Sequence, residues 1–316
     1  MTEFADRADR SVGIEVSVGS LRAVCLGPGG EIAATATAPF APKEGTLPQL
    51  DSFIPSLKEK FGSFDRVGIA IPGLIWSESG RVAYSAHIPE HSAIDLADEI
   101  ERSTGIKAVV ENDANAAGYG ELKLGAGRGS ANMFYATLGV GVGGALILNN
   151  QIWRGVSGFA GEFGYVAVNS DGMRLEDVAS AANIVRRTRT RFNRDSTSSL
   201  NKLDEEQISI HKIVEAAENG DDFASLMLER TGNYVGTAIA TVINLLNIEK
   251  IVIGGEIMHA GHLVLDAVIR RARELSFGPS FENADIAAGE LGEDAAAIGA
   301  ALIAGEKRPP GSAQES

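Results

Sequence analysis

The pattern of apolar and polar residues divides the chain into two halves that repeat one another. Each half opens with three short apolar runs separated by turns, which predicts a three-stranded meander. The runs lie at residues 12–16, 21–26 and 31–36 in the first half, and at 133–138, 145–148 and 151–154 in the second. Such a repeat indicates that one folding unit occurs twice.

The segments that follow the two meanders also match. A predicted strand at residues 66–71 ends at Pro72-Gly73, and its counterpart at 250–253 ends at Gly254-Gly255. Both halves then finish with a strand, an acidic turn and a helix. A duplicated β-β-β-α-β-α-β-α unit predicts an α/β fold with two lobes around a cleft, and small ligands bind in clefts of this kind.

The same pattern sets the expected domain boundaries. We predict a smaller N-terminal lobe at residues 11–117 plus about 299–306, and a larger C-terminal lobe at 118–298. The larger lobe holds the additional helices predicted at 175–192, 208–219 and 222–246. The polar, proline-containing segment 307–316 is predicted to be a disordered tail.

Charge and composition exclude several classes of function. The 316 residues include 28 Lys plus Arg against 42 Asp plus Glu, a net charge of −14, and the one dense basic group lies at residues 186–194. Nucleic-acid binding needs a clustered basic surface, so we predict no nucleic-acid partner. No apolar run reaches the roughly 18 residues that span a membrane. Residues 1–10 mix acids and arginines, unlike an export signal, so we expect a cytoplasmic protein with no membrane partner.

Closely spaced glycines occur in the run Thr-Leu-Gly-Val-Gly-Val-Gly-Gly at residues 137–144. A dinucleotide fingerprint needs a helix after its glycines, whereas residues 145–148 predict another strand. The run therefore predicts a hairpin, which either cradles a phosphate with its backbone N–H groups or forms a tight turn without a ligand. Gly254-Gly255 ends a strand at a usual position for a nucleotide, so two glycine platforms frame the predicted cleft.

Three acidic residues are candidates for chemistry. Asp113 lies between a predicted strand and a helix, where it can cap the helix or accept a proton from a substrate hydroxyl. Asn112 or Asn115 is able to supply the cap instead. Glu162 lies on a loop of small and aromatic residues and can accept hydrogen bonds from sugar hydroxyls. Glu176, at the start of a helix, is either a second such group or an ordinary solvated acid.

Taken together, these runs resemble the ROK family of bacterial sugar kinases and repressors, within the actin-like and hexokinase-like ATPase superfamily. The resemblance covers roughly residues 11–305. Residues 112–117 are similar to the family's catalytic run, 137–144 to its second phosphate loop, 160–164 to its sugar-binding signature and Gly254-Gly255 to its adenosine motif.

The resemblance implies phosphorylation of a hexose or an N-acetylhexosamine by ATP and Mg²⁺. Asp113 would be the base that accepts the proton of the sugar hydroxyl, while Asn112, Glu162 and Glu176 would orient the sugar. A homodimer is also implied. The implied cofactor-binding residues are Glu15, Gly139, Gly141, Gly143, Gly144, Gly254 and Gly255.

The first phosphate loop departs from the family pattern. In the family an Asp is followed by one residue and then Gly-Gly-Thr, whereas here Glu15 and Val16 precede Ser17, Val18 and Gly19. Side chains at Ser17 and Val18 would crowd a backbone that must approach phosphate closely. We therefore expect ATP to be used weakly.

The family's structural zinc site is also missing from the sequence. Relatives build it from one His and three Cys, but here the His position is Tyr165, and residues 170–175 read Ser-Asp-Gly-Met-Arg-Leu. The one cysteine of the chain, Cys25, lies in an apolar run elsewhere. Because all four ligands are absent together, we predict no bound zinc.

Two other functions are compatible with parts of this pattern. The first is a catalytically weakened sugar-binding or regulatory protein of the same family. Family repressors carry an N-terminal DNA-binding domain, and only about eleven residues precede the first predicted strand, so such a sensor would need a partner protein. The second is a glycoside hydrolase, which needs two carboxyl groups flanking a bond. Glu111 and Asp113 would supply that pair from one short segment, and the glycine runs would have no role.

Overall fold

The fold is described for residues 10–76, 81–85 and 95–306 in a computed structural model of the chain. The tail predicted at 307–316 lies outside these residues. The strands are β1 (Ser11–Ser17), β2 (Ser20–Leu26), β3 (Ile32–Pro39), β4 (Arg66–Ile71), β5 (Leu74–Ile75), β6 (Val82–Tyr84), β7 (Lys107–Asn112), β8 (Met133–Leu138), β9 (Val142–Leu148), β10 (Gln151–Ile152), β11 (Lys250–Gly254) and β12 (Asp285–Ala288). The helices are α1 (Thr46–Phe61), α2 (Leu96–Thr104), α3 (Asp113–Leu124), α4 (Glu176–Ala179), α5 (Ala181–Arg189), α6 (Ile210–Glu218), α7 (Asp222–Leu246), α8 (His262–Leu275), α9 (Gly278–Glu282) and α10 (Ala295–Gly305).

In the described residues, two five-stranded sheets share one arrangement. Their strand orders are β3-β2-β1-β4-β7 and β10-β9-β8-β11-β12, and β5 pairs with β6 in a separate hairpin. The strand that opens each half is antiparallel to the next strand of its meander, β1 to β2 and β8 to β9. On its other side it is parallel to a later strand, β1 to β4 and β8 to β11. The predicted duplicated α/β architecture is confirmed.

The chain forms two compact units, each with its own hydrophobic core. The first contains the described residues up to Arg128, the segment Gln151–Ala160 and the described residues from Glu293 onward. The second contains Gly129–Asn150 and Gly161–Gly292. One core is centred on β1, β2, β4 and α1, and the other on β8, β11 and helices α5 to α8.

These boundaries differ from the predicted ones. The predicted division at residue 117 would cut α3, whereas the whole of α3 belongs to the first unit, because it packs against α10. All of α10 also belongs to that unit, rather than only the predicted residues 299–306. Counted over the described residues, the second unit is still the larger of the two.

Helix α10 lies against its sheet and against α3 at distances that only glycine permits. A Cβ atom at Gly13 in β1 or Gly68 in β4 would come within 2.0 and 1.9 Å, respectively, of a backbone carbonyl oxygen of α10. A Cβ at Gly299 in α10 would come within 1.7 Å of the carbonyl oxygen of Ala116 in α3. Because real Cβ atoms do not approach this closely, glycine is required at all three positions.

The second unit contains a break that the helical pattern does not reveal. The helix predicted at 175–192 is two helices, α4 and α5, separated by Ser180, whose backbone is extended (ψ 153°). The N–H of Ala181 donates to the carbonyl of Gly139 at 2.8 Å. This long-range hydrogen bond joins the start of α5 to the glycine turn and leaves Glu176 as the first residue of a short separate helix.

Helix α7 runs over the predicted residues, because its ends carry strong signals. The side chain of Asp221 accepts a hydrogen bond from the N–H of Ala224 at 3.0 Å. At the other end, Asn247 adopts the left-handed conformation (φ 47°) that ends many helices.

Replacing Gly299 by Ala should destabilise the first unit. The new methyl group overlaps the backbone of α3, so we expect the free energy of unfolding to fall by about 1–3 kcal/mol. Urea unfolding followed by circular dichroism measures this loss. Gly278→Ala is the control, because a Cβ there meets no atom within 4 Å; equal losses in both variants would contradict the packing argument.

Candidate functional site

The first group of predicted site residues lies at the junction of β7 and α3. Strand β7 continues through Asn112, and α3 begins at Asp113. The side-chain oxygen of Asn112 accepts a hydrogen bond from the N–H of Asn115 at 2.9 Å, so Asn112 caps the helix. The half-buried Asp113 carboxylate accepts hydrogen bonds through Oδ1 from the Ala114 N–H at 2.9 Å and the Asn112 side chain at 3.1 Å. Asp113 is thus oriented without serving as the cap.

The Asn112 side chain also joins two neighbouring strands of the first sheet. Its Nδ2 atom donates to the carbonyl of Gly73 at 3.0 Å, just beyond the end of β4. The φ angle of Gly73 is 142°, and a Cβ there would lie 2.7 Å from the carbonyl oxygen of Tyr84. The carboxyl ends of β4 and β7 are therefore fixed together at Asp113, as expected for a site at the end of parallel strands.

Beside this junction lies a buried ion pair. Glu111 is 6% exposed, and its Oε2 accepts hydrogen bonds from Nε and Nη2 of Arg154 at 3.1 and 2.5 Å. Its Oε1 accepts from the Asn112 N–H and the Asn115 side chain, both at 3.0 Å. Since both oxygens are engaged, Glu111 has a structural role. This removes the carboxyl pair on which the glycoside hydrolase interpretation depended.

Glu15 lies on β1, in the same unit as Asp113. It is half-buried and pairs in register with Arg22 on β2, which contacts Glu293 at 2.5 Å and Asp294 at 3.2 Å. Burial raises the pKa of Glu15 to about 7, and the negative charge of Asp113 acts in the same direction. Carboxylates are therefore concentrated on this side of the first sheet.

The segment after Glu15 is a tight hairpin. Ser17 pairs with Ser20, and their hydroxyl oxygens lie 2.8 Å apart. Between them, Gly19 has a φ angle of 101° and the side chain of Val18 is exposed. The Ser17 hydroxyl is thus occupied within the hairpin. The expected weakening of phosphate binding here stays a prediction.

The glycine turn of the second unit is shorter than predicted. Strand β9 begins at Val142, so Gly143 and Gly144 are strand residues and only 139–141 form the turn. The N–H of Gly139 donates to the carbonyl of Gly141 at 2.9 Å. The turn was predicted too long because glycine is a poor strand former, whereas here the ladder with β8 includes both later glycines.

One of the predicted sugar-binding acids holds this turn. Oε2 of Glu176 accepts a hydrogen bond from the N–H of Val142 at 3.0 Å. That N–H group was expected to contribute to a phosphate cradle and is instead occupied. Beside Gly139, by contrast, the space is open, since a Cβ there would meet only Cγ of Glu256 at 3.9 Å.

The loop that carries Glu162 is pressed against β9. Gly161 has a φ angle of 96°, and a Cβ there would lie 2.4 Å from the carbonyl oxygen of Gly144. A Cβ at Gly144 would in turn lie 2.8 Å from Cβ of Phe163. These contacts fix the loop on both sides of Glu162, which is itself exposed.

The two glycines at the end of β11, Gly254 and Gly255, have a packing role. A Cβ at Gly254 would lie 2.5 Å from the hydroxyl of Tyr135, and one at Gly255 would lie 2.4 Å from the carbonyl of Leu138. Gly255 also has a φ angle of 91°. A 3-10 turn at Glu256–Ala260 follows before α8.

Where the family carries its zinc motif, this chain has a hairpin closed by its own hydrogen bonds. The N–H groups of Val168 and Leu175 donate to the carbonyls of Met173 and Val166 at 2.8 and 2.9 Å. The guanidinium of Arg174 lies 4.9 Å from the ring centre of Tyr165, the residue at the family's His position. Among the described residues, no group of three or more His, Cys, Asp or Glu is arranged to hold a metal ion.

Sequence reasoning missed Arg22 and Arg154. Arg22 faces Glu15 because the two-residue turn at Val18 and Gly19 fixes the register of the hairpin, and counting across that turn would have found it. Arg154 had a weaker signal: Glu111 lies in a buried strand, and a buried acid requires a cationic partner. Nothing in the sequence says which cation supplies it.

Comparison with known proteins identifies the family to which the chain belongs. A sequence model of the ROK family matches residues 11–307. The chain is 31% identical over 307 residues to a glucokinase of Halalkalibacterium halodurans, covering 91% of this chain and 92% of the relative. It is 24% identical over 317 residues to the xylose repressor of Bacillus spizizenii, covering 96% of this chain and 79% of the repressor.

The structural comparison agrees. The fold matches the crystal structure of a ROK family glucokinase from Streptomyces griseus in complex with glucose and AMPPNP, with a TM-score of 0.81 and 28% sequence identity, covering 93% of this chain and 99% of that one. The two matching sheets thus define an α/β protein of the actin-like ATPase fold. The chain belongs to the ROK family. No helix in the described residues is long and apolar enough to cross a membrane.

Replacing Glu15 by Gln should stabilise the protein at neutral and alkaline pH. The pKa of Glu15 is raised from 4.5 to about 7, so the wild type loses stability as the pH rises between these values. The variant lacks this titration. In metal-free buffer, the melting temperature of the variant minus that of wild type should therefore increase between pH 4.5 and about 7 and stay constant above that range. Glu59→Gln on the exposed face of α1 controls for the lost charge; a difference independent of pH would be evidence against the buried charge.

Replacing Arg154 by Met should destabilise the protein by about 3–5 kcal/mol, because it leaves Glu111 buried without a cation. Adding Glu111→Gln removes that orphan charge and should restore part of the loss. Arg102→Met, which breaks an exposed pair with Glu99, should cost less than about 1 kcal/mol. Denaturant unfolding of wild type, Arg154→Met, Glu111→Gln, the double variant and the Arg102→Met control measures the coupling, and additive losses would show that the pair is not the cause.

Proposed function

We propose that the protein phosphorylates a hexose or an N-acetylhexosamine with ATP and Mg²⁺, with Asp113 as the general base. The observation that carries the proposal is that two neighbouring residues at the start of α3 have different roles. Asn112 caps the helix, while Asp113 is held by two hydrogen bonds to one carboxylate oxygen. The similarity to glucokinases supports the same reaction.

Asp113 would accept the proton of the sugar hydroxyl as that oxygen attacks the terminal phosphorus of ATP. Phosphoryl transfer depends mainly on positioning and on charge stabilisation, with little covalent chemistry from the protein. The hydrogen bonds from the Ala114 N–H and the Asn112 amide set the orientation of the carboxylate before substrate arrives. The Gly73 contact of Asn112 ties this arrangement to β4.

Asn112, Glu162 and Glu176 are proposed to orient the sugar. The Glu162 loop is fixed by the glycine contacts with β9, so its exposed carboxylate has a defined position. Glu176 uses one oxygen for the Val142 N–H, and a carboxylate keeps further acceptor capacity. Both acids suit vicinal hydroxyl groups, which donate hydrogen bonds.

ATP would supply the transferred phosphoryl group. The open space beside Gly139 fits the close approach of a phosphate to backbone. Mg²⁺ that accompanies nucleotide phosphates usually takes one or two carboxylates together with phosphate and water oxygens, and Glu15 fits such a donor set. The residues proposed on this side are Glu15, Gly139, Gly141, Gly143, Gly144, Gly254 and Gly255.

A second candidate is a regulatory sugar-binding protein with little or no turnover. Two observations favour it: the similarity to the xylose repressor, and the Ser17–Val18–Gly19 hairpin, which departs from the Gly-Gly-Thr pattern that the family resemblance implies at this position. The family resemblance also favours a homodimer for either function, and the molar mass in solution measured by light scattering tests it.

Asp113→Asn should lower sugar-dependent ADP formation by about a hundredfold to ten-thousandfold, because it removes the proton acceptor. Sugar affinity measured by calorimetry should change little, since the amide keeps the shape of the side chain. Asp98→Asn is the control: Asp98 is an exposed acid in the first turn of α2. It should leave ADP formation unchanged.

A panel of hexoses and N-acetylhexosamines decides between the two candidates. Sugar-dependent ADP release that Asp113→Asn abolishes supports the kinase. If no sugar of the panel gives ADP release and Asp113→Asn changes nothing, the kinase proposal fails. Sugar binding without ATP binding would then support the regulatory protein.

A further inference from the structure

A strongly basic cavity lies within the second unit, bounded by α5, α7, α8 and the hairpin at 166–175. Its volume is about 700 Å³. None of the residues proposed to bind sugar or ATP is among its described lining residues. That lining includes two carboxylates, Asp177 and Glu274, and six arginines, Arg186, Arg187, Arg191, Arg230, Arg270 and Arg271.

Carboxylates neutralise only part of this positive charge. Arg270 donates to Glu229 at 2.6 Å, and Arg271 donates to Glu274 at 2.9 Å. These ion pairs neutralise the two arginines that α8 contributes to the cavity. They leave four arginines on α5, on α7 and in the segment after α5 without a carboxylate.

The remaining arginines have neutral partners or none. Arg186 donates to the side-chain oxygen of Asn183 at 2.9 Å and to the backbone carbonyl of Asp177. The guanidinium groups of Arg191 and Arg230 have no hydrogen-bond or ion-pair partner in the part of the chain that the structure describes. Arg186, Arg191 and Arg230 are exposed, so water and salt screen part of their mutual repulsion, and an anion bound among them would remove the rest.

Arg187 is the most informative member of the cluster. One guanidinium nitrogen donates to the hydroxyl of Thr231 at 2.7 Å, and its Nε is buried without a hydrogen-bond partner. Burial lowers the pKa of Arg187 to about 10, and the nearby charges of Arg191 and Arg230 act in the same direction. An unsatisfied buried donor on a charged side chain is costly, and an anionic acceptor would satisfy it.

We propose that this cavity is a binding site for a phosphorylated small molecule that carries at least two negative charges. Guanidinium groups match the oxygens of phosphate with paired, charge-assisted hydrogen bonds. The cavity volume is in the range of sites for metabolite-sized ligands and exceeds what one inorganic anion fills. The side chains of Asn233 and Tyr234 on α7 add polar groups suited to the uncharged part of such a ligand.

The test is titration calorimetry of the full chain with pyrophosphate and glucose 6-phosphate, and with inorganic phosphate and chloride for comparison. Binding should be strongest for the organic phosphate and pyrophosphate, and should weaken as salt screens the arginines. Arg230→Gln and Arg191→Gln, whose side chains have no protein partner to lose, should each lower the affinity about tenfold. Arg102→Gln, an exposed arginine on α2 in the other unit, removes the same charge and should leave the affinity unchanged.

The outcomes separate this proposal from the kinase proposal. In the absence of the phosphate probe, Arg230→Gln should retain the wild-type rate of sugar-dependent ADP formation. If neither phosphate compound binds, or if binding persists unchanged in both arginine variants, the cavity is not a phosphate site. If instead both variants lower the molar mass in solution without affecting phosphate binding, the arginines contact a second copy of the chain, which also overturns the proposal.

Discussion

The first unit depends on the close contact between α10 and the elements beneath it. Glycine at Gly13 and Gly68 lets the helix lie directly on β1 and β4, and Gly299 lets it lie directly on α3. The same three elements carry or adjoin the candidate chemistry: β1 carries Glu15, and α3 begins at Asp113. The close packing therefore fixes the relative positions of two carboxylates whose mutual repulsion contributes to the raised pKa of Glu15.

Charged side chains are distributed unevenly between the two units, with acids gathered in the first and arginines gathered in the second. In the first unit, acids are gathered near Glu15, and the buried Glu111 is stabilised by its ion pair with Arg154 and by hydrogen bonds from Asn112 and Asn115. In the second, unpaired arginines are gathered around Arg187 although the chain as a whole is acidic. A ligand of opposite charge would compensate either concentration of like charge, and this supports the two sites proposed above.

Elements determined by local sequence were predictable, whereas those determined by distant contacts were not. The strands at 66–71 and 133–138 and the helix at 222–246 have the predicted bounds, because apolar periodicity and end residues such as Asp221 specify them. The break at Ser180 depends on a hydrogen bond from Ala181 to Gly139, far away in the chain. The partner of Glu111 likewise comes from a distant segment. The sequence showed Asp113 and two asparagines that could cap α3. Only the geometry of the junction shows that Asn112 is the cap.

The kinase proposal and the regulatory sugar-binding alternative differ in whether the backbone at residues 17–19 can approach a phosphate closely. If Asp113 is the proposed base, hydrogen bonds that orient its carboxylate are already formed within the chain. At the hairpin after Glu15, however, side chains stand where glycines would leave backbone open, and the Ser17 and Ser20 hydroxyls bond to each other. On the proposed roles, sugar binding would not involve that segment, whereas positioning a triphosphate for in-line transfer would. Any loss of function from this departure should therefore appear in the use of ATP while the affinity for sugar is retained.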